Sequence, residues 1–263
     1  MILYKHEMKM NAKNLLIWTF SVGLICFGCI LLYTSLEESI QGIADSFSDL
    51  GAMSAALGMD KMSVATLRGY YATEIAMMHS LGGAMFAAIL GTGMLAKEES
   101  GHTTEFLCVL PIERGRIVFQ KYLTLVSNIV ILNLACIGLY VLGFIAMGES
   151  GDLLTKELAL YHGAAVMMQL EVGTICFLIS ACVRKSMMGA GLGLTLLLFA
   201  ADMMCRIVPA IEDLKYVTPF YYANAAVIFA EGNVNLVMAA GGAGVIIACY
   251  AAAQWVYCKK DFA

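Results

Sequence analysis

Glu171 is the side chain in this 263-residue sequence that is most costly to keep where the sequence puts it, near the middle of a long apolar stretch. An ionised carboxylate at the centre of a bilayer-spanning helix costs about 2.5–3.5 kcal/mol on insertion scales, so it must be protonated, paired or turned to a wet cavity. As a working group it would hold a proton or a sodium ion; as a structural one it would hydrogen-bond a neighbouring helix. Asp202 and Arg206 stand four residues apart in a later apolar stretch, the spacing at which opposite charges meet on one helix face. Cys26-x-x-Cys29 puts two thiols on one helix face, but a metal or redox pair needs further ligands that the neighbourhood does not offer, which leaves buried packing. His6, His79, His102 and His162 fall at no ligand spacing, and neither H-E-x-x-H nor G-x-S-x-G occurs. There is no Gly-Lys dipeptide and hence no phosphate-binding loop of the form G-x-x-x-x-G-K-[ST]. The residues therefore suggest no enzyme, no bound metal and no cofactor on this chain.

The elements that would position these groups are membrane helices. The chain is 60% hydrophobic and 14% charged, against about a quarter charged in soluble domains. Apolar stretches near 15–33, 74–96, 118–146, 159–182, 187–207 and 234–257 each have the roughly 20 residues needed to cross the hydrocarbon core. Backbone there must satisfy its own hydrogen bonds, so the expected fold is an all-α membrane protein of six spans forming a single transmembrane domain over 1–263. With the N-terminus placed in the cytoplasm, Lys5, Lys9, Lys13, Lys97, Arg114, Arg116, Lys121, Arg184, Lys185, Lys259 and Lys260 all fall inside. That is 11 of the 16 cationic residues, and the positive-inside rule then puts both termini in the cytoplasm. The first stretch is too long for a signal-peptide core and lacks a small-x-small cleavage site, so it is expected to remain as an anchor. Nine cysteines, nearly all in or beside the spans, do not form a disulfide framework.

Outside the spans, Lys5, Lys9 and Lys13 recur at i, i+4, i+8, which suits an amphipathic helix over 2–14 on the inner membrane surface, although Glu7 interrupts its apolar side. After the first span, Leu36, Ile40, Ile43, Phe47 and Leu50 recur at helical spacing, and Gly42, Gly51, Gly58 and Gly69 divide that segment into short external helices. A second external excursion covers 208–233. The polar stretch from Lys97 to Lys121 is the longest inside segment. A short helix at about 103–110 would begin on its hydroxyl-rich start and end before Pro111. Phe106, Leu107 and Leu110 would form its apolar face, and an apolar face on a cytoplasmic loop calls for a partner.

Two features carry a resemblance. One is the run from Lys97-Glu98-Glu99 to Leu110-Pro111-Ile112-x-Arg114 after the second span, followed by Lys121 opening the third; the other is Tyr216-Val217-Thr218-Pro219-Phe220-Tyr221-Tyr222 before the last. In this order within six spans, the chain resembles the permease subunits of ABC-2 type ABC transporters over nearly its full length. The resemblance implies an N-terminal surface helix, a coupling helix in the first cytoplasmic loop and a re-entrant helical piece before the sixth span. It also implies two separate ATPase subunits, carrying ATP and Mg, docked on the loop residues Glu98, Glu99, Thr103, Glu105, Phe106, Leu107, Leu110, Pro111 and Arg114. A second permease, identical or not, would complete a dimer in a bacterial-type plasma membrane, with no nucleic acid involved. Gly189-x-x-x-Gly193 allows close helix approach. Met187, Met188, Met203 and Met204 lean the substrate toward an amphiphile over a small ion. The expected function is export of a hydrophobic or amphipathic peptide, antimicrobial or drug. The alternatives are a non-pumping immunity or sensory partner, or an ion-coupled secondary transporter using Glu171.

Overall fold

The computed structural model describes residues 2–48, 51–101, 112–148 and 155–260, with the side chains at 34, 36–38, 41, 43–48 and 52–53 outside that description. In chain order the helices are α1 (Ile2–Ser48), α2 (Gly51–Leu57), α3 (Leu67–Met94), α4 (Ala96–Ser100), α5 (Arg114–Met147), α6 (Lys156–Cys182), α7 (Met188–Ile207), α8 (Ala225–Glu231) and α9 (Leu236–Lys259). A 3-10 helix, Pro209–Tyr216, lies between α7 and α8. Six of these, α1, α3, α5, α6, α7 and α9, are long and apolar enough to cross a membrane. The protein is thus an all-α membrane protein, and no strand occurs among the described residues.

Burial separates centre from periphery. The most apolar windows of α3 and α6 are 67% and 61% buried, against 22% in α7 and 11% in α9. The two central helices pack along each other; α1 runs along α5, α9 lies on α6, and α7 lies on α3 and the 3-10 helix. The outer faces carry Leu16, Ile17, Phe20 and Leu24 on α1, Leu196 and Leu197 on α7, and Ile247 and Trp255 on α9. Apolar surface on this scale is stable against lipid tails, where it would drive association in water.

The central pair approaches closely because it meets through small residues. A Cβ on Gly91 would stand 2.4 Å from the carbonyl oxygen of Gly173 and 2.9 Å from Cys176 Cβ, so only glycine lets α3 and α6 touch at that level. Toward the other end the contact is polar. Tyr71 Oη lies 2.9 Å from His162 Nε2 and Tyr161 Oη 2.9 Å from Ser80 Oγ. His79 reaches α5 at both ring nitrogens, with Tyr140 Oη at 3.0 Å and Asn133 Oδ1 at 2.9 Å. Asn133 Nδ2 in turn donates to Gln169 Oε1 at 2.6 Å. Inter-helical hydrogen bonds of this kind contribute about 0.6–2 kcal/mol each in a membrane. Together they set the register of α3, α5 and α6.

Two sequence expectations change. Residues 2–14 do not form a separate surface helix, because α1 is unbroken from Ile2 to Ser48. Its first turns are held against α5: Tyr4 N donates to Gln120 Oε1 at 3.2 Å, Tyr4 Oη to Ser127 Oγ at 3.1 Å, and Asn128 Nδ2 meets Met8 Sδ at 3.3 Å. The external segment is likewise not cut at Gly42 or Gly69, which lie inside α1 and α3. Breaks come at Gly51 and Gly58, both in the left-handed backbone region. Of the external apolar repeat, Ile40 packs with Tyr33 and Val64; Leu36, Ile43, Phe47 and Leu50 fall outside the described side chains.

Replacing Gly91 by leucine should lower the detergent-solubilised protein's stability by about 1–3 kcal/mol through overpacking. Gly138→Leu, on an exposed position of α5 with nothing within 4 Å of a built Cβ, should leave the melting temperature unchanged. Equal melting temperatures for the two variants would refute this account of the α3–α6 contact.

Candidate functional site

Charge is concentrated at one end of the bundle, where α1 begins, α3 and α6 end, α5 begins and α9 ends. Lys121, two turns into α5, is completely enclosed. Its ammonium group uses all three donors: Glu7 Oε1 at 3.0 Å, the carbonyl oxygen of Met94 at 2.7 Å, and Glu98 Oε1. Lys97 binds the other oxygen of Glu7. Two carboxylates and two ammonium groups from α1, α4 and α5 therefore neutralise one another, with Lys121 and Glu7 shut off from solvent and Lys97 at the partly exposed edge. Desolvating charges costs several kcal/mol each, and only full pairing with hydrogen bonds to every donor offsets that.

The same end is fastened again around this cluster. Lys260 pairs with Glu99 at 2.6 Å and donates to the carbonyl oxygen of Val183 at 2.6 Å. Arg114 Nη1 reaches the carbonyl oxygens of Cys258 at 3.2 Å and Lys260 at 2.8 Å, so the start of α5 caps the last carbonyls of α9. Ser180 Oγ accepts from the backbone N–H groups of Leu95 and Ala96, both at 2.9 Å. Ser100 Oγ accepts from Ser186 N at 3.1 Å. The short α4 is thus pinned to α1, α5, α6, α9 and the α6–α7 connection.

This accounts for three of the residues singled out on the loop. Glu98 and Glu99 are turned into the bundle in ion pairs, and Arg114 is the anchor on the far side. Thr103, Glu105, Phe106, Leu107, Leu110 and Pro111 lie outside the described residues. Glu7 and the buried role of Lys121 were not predicted from sequence. The signal for Glu7 was its place on the apolar side of an otherwise regular Lys/apolar pattern, a charge whose partner had to come from another helix.

In the other half of the bundle, Asp202 and Arg206 form the expected intrahelical pair, with Arg206 Nη2 2.8 Å and Nε 3.2 Å from Asp202 Oδ1. The Arg206 guanidinium also stacks over Tyr221 at 4.6 Å from the ring centroid. Asp202 borders a cavity of about 40 Å³ that Ser80 and Asn224 also line, which has room for one or two waters. Glu171 is buried on α6 and accepts a hydrogen bond from Tyr222 Oη at 2.9 Å. Burial and the adjacent Glu171 carboxylate push the Tyr222 hydroxyl well above the usual tyrosine range, so it stays a donor. The Tyr216–Tyr222 segment is braced on both sides, since Thr218 Oγ1 donates to the carbonyl oxygen of Leu198 on α7 at 2.8 Å. Glu171 and Asp202 belong to separate sites.

Gly189 and Gly193 have no atom within 4 Å of a built Cβ and lie on a bare face of α7. Gly191 is the residue of that stretch that packs within the chain, 2.8 Å from Thr92 Cγ2 and 3.2 Å from the carbonyl oxygen of Ala88. The described cysteines are all free, and no group of three or more His, Cys, Asp or Glu side chains among the described residues is arranged to hold a metal ion.

Comparison with known proteins adds a family to this geometry. The family model for "ABC-2 family transporter protein" matches residues 1–261. The chain is also similar to the uncharacterized protein YhcI of Bacillus subtilis (strain 168), 27% identical over 165 residues. That match covers 56% of this chain and 52% of YhcI, so the chain spans about half the length of the curated relative. No solved structure matches.

Lys121→Met should destabilise the protein by about 3–5 kcal/mol, because it leaves Glu7 and Glu98 buried without their shared counter-charge. Combining it with Glu7→Gln should recover part of that loss. A double-mutant cycle on the melting temperature in detergent measures the coupling, and strict additivity would contradict the cluster.

Proposed function

The chain belongs to the ABC-2 transporter family, and from that premise we propose that it is the membrane-spanning subunit of an ATP-driven exporter for a hydrophobic or amphipathic substrate. Separate ATPase subunits, two per complex, bind ATP and Mg and dock on the loop 101–113. The basic end faces the cytoplasm in this reading, in keeping with the positive-inside bias of lysine and arginine. In this reading the chain catalyses nothing itself; it converts movement of the docked ATPase into rearrangement of its own helices.

The observation that carries the reading is the anchoring of that loop. On one side α4 is tied by Glu98 to Lys121 and by Glu99 to Lys260; on the other, Arg114 holds the end of α9. A push delivered between residues 101 and 113 is therefore delivered at once to α1, α5, α6 and α9. Paired charges suit such a link, since their attraction acts along a short stiff contact and costs several kcal/mol to break once desolvated.

The periphery offers a place for the second subunit. The bare face of α7 with Gly189 and Gly193, continued by exposed Leu196 and Leu197, would let a second permease approach to backbone distance. The outer helices that bury little within the chain are then the ones free to move.

Copurification of this chain with an ATPase subunit, followed by ATP-dependent efflux from proteoliposomes, tests the reading. Phe106→Asp should abolish copurification and cut efflux at least tenfold while the melting temperature of the isolated chain holds. Unchanged assembly and efflux in that variant would remove the docking surface from Phe106, Leu107 and Leu110. Cysteines introduced along α7 should crosslink between protomers at the face of Gly189 and Gly193, and Gly193→Leu should weaken that crosslink. Absence of any crosslink along α7 would move the interface elsewhere.

A further inference from the structure

Between α6, α9 and the Tyr216–Tyr222 segment lies a groove of about 330 Å³, near the lower end of the roughly 300–1,000 Å³ of small-molecule sites. Its walls are largely apolar, formed among others by Val217, Pro219, Val237 and Val245, and its buried polar side chains are Glu171, Thr218 and Tyr222. Val217 and Val237 are 65% and 82% exposed, so the groove opens sideways onto the apolar flank of the bundle. Glycine makes it possible. A Cβ on Gly242 would stand 2.5 Å from Glu171 Oε2, so glycine at that position brings α9 close against the carboxylate, while Gly241, with nothing within 4 Å of a built Cβ, leaves the groove unfilled.

The groove therefore has an apolar wall and one acid at its base. Glu171 receives the Tyr222 hydroxyl and, among the described residues, has no cationic partner. The other buried acids of the spans differ: Glu7 faces Lys97 and Lys121, and Asp202 faces Arg206. Lys215, next to Tyr216 of the lining, is paired with Glu212 at 2.5 Å. Gly242 lies six residues beyond the start of α9, so the carboxylate sits about 10 Å along that helix from its end.

The geometry points to a binding site for an ammonium-headed amphiphile, the ammonium group pairing with the Glu171 carboxylate and the hydrocarbon chain lying along the valine-lined wall into the membrane. A neutral alcohol of the same length would gain the wall but leave the acid unpaired. An anionic amphiphile would be repelled. The Tyr216 ring at the rim already carries the Lys215 ammonium, 5.3 Å from its centroid, so the recognition rests on the Glu171 carboxylate. The occupant's chemistry is shared by a free long-chain amine and by the phosphatidylethanolamine headgroup. The site stands apart from export, because binding to the isolated chain needs neither ATP nor a partner.

Native mass spectrometry of the full chain in non-ionic detergent, titrated with dodecylamine, dodecanol, phosphatidylethanolamine and phosphatidylglycerol, tests the site. Dodecylamine should bind at least tenfold more tightly than dodecanol. Glu171→Gln, which keeps the Tyr222 hydrogen bond, should reduce amine binding at least tenfold, and Gly241→Leu should do the same by filling the groove while leaving the acid in place. Phosphatidylethanolamine binding that both variants abolish, with phosphatidylglycerol bound weakly, would identify a bilayer lipid as the occupant; binding of dodecylamine alone would identify a free amine. Equal affinity for amine and alcohol, or amine binding untouched by both substitutions, would overturn the proposal. So would a dimer mass that Gly241→Leu abolishes in a chain that binds no amine, since a second copy would then fill the groove.

Discussion

Lys121 carries a charge into a place that water does not reach, and the requirement to neutralise it there organises the basic end of the bundle. Three acceptors must converge on one ammonium group, and they come from α1, from the end of α3 and from α4. Once Glu7 is drawn in, the first turns of α1 can no longer rest on a membrane surface. Once Glu98 is drawn in, α4 is fixed, and with it the approach to the loop that follows.

That rigid end contrasts with the flanks. α3 and α6 share the glycine contact at Gly91 and the hydrogen-bonded network of His79, His162, Asn133 and Gln169. α7 and α9 bury little of their most apolar windows: α7 rests on α3 and is tied by Thr218, and α9 lies along α6 and is tied at its end by Arg114 and Lys260. A bundle with a polar, well-registered centre and loosely buried outer helices suits a membrane protein whose subunits must shift against one another, since sliding an apolar face along lipid costs far less than breaking a desolvated ion pair.

The two acids read from the sequence as a pair of intramembrane candidates meet different surroundings. Asp202 is neutralised within its own helix by Arg206, which also rests on Tyr221. Among the described residues Glu171 has a tyrosine hydroxyl as its partner and no cation, and it faces a groove. The Tyr216–Tyr222 segment serves both, supplying the ring under Arg206 and the hydroxyl on Glu171, so a stretch that carries a family resemblance is also the brace between α7 and α6.

The number of spans, the helical class, the Asp202–Arg206 pair and the family were legible in the sequence, because each depends on local quantities: length of an apolar run, spacing along one helix, order of short motifs. The continuous α1 and the partners of Glu7, Lys121, His79, His162 and Glu171 were not. Glu7 looked like a flaw in an amphipathic pattern, and the histidines looked isolated, since the residues that complete them lie tens of positions away on other helices. A bilayer explains the division. It tells each segment separately to be apolar and helical, which a sequence records directly, whereas a charge or hydroxyl inside hydrocarbon can be satisfied only by whatever helix packing brings to it, and that is decided by the tertiary structure alone.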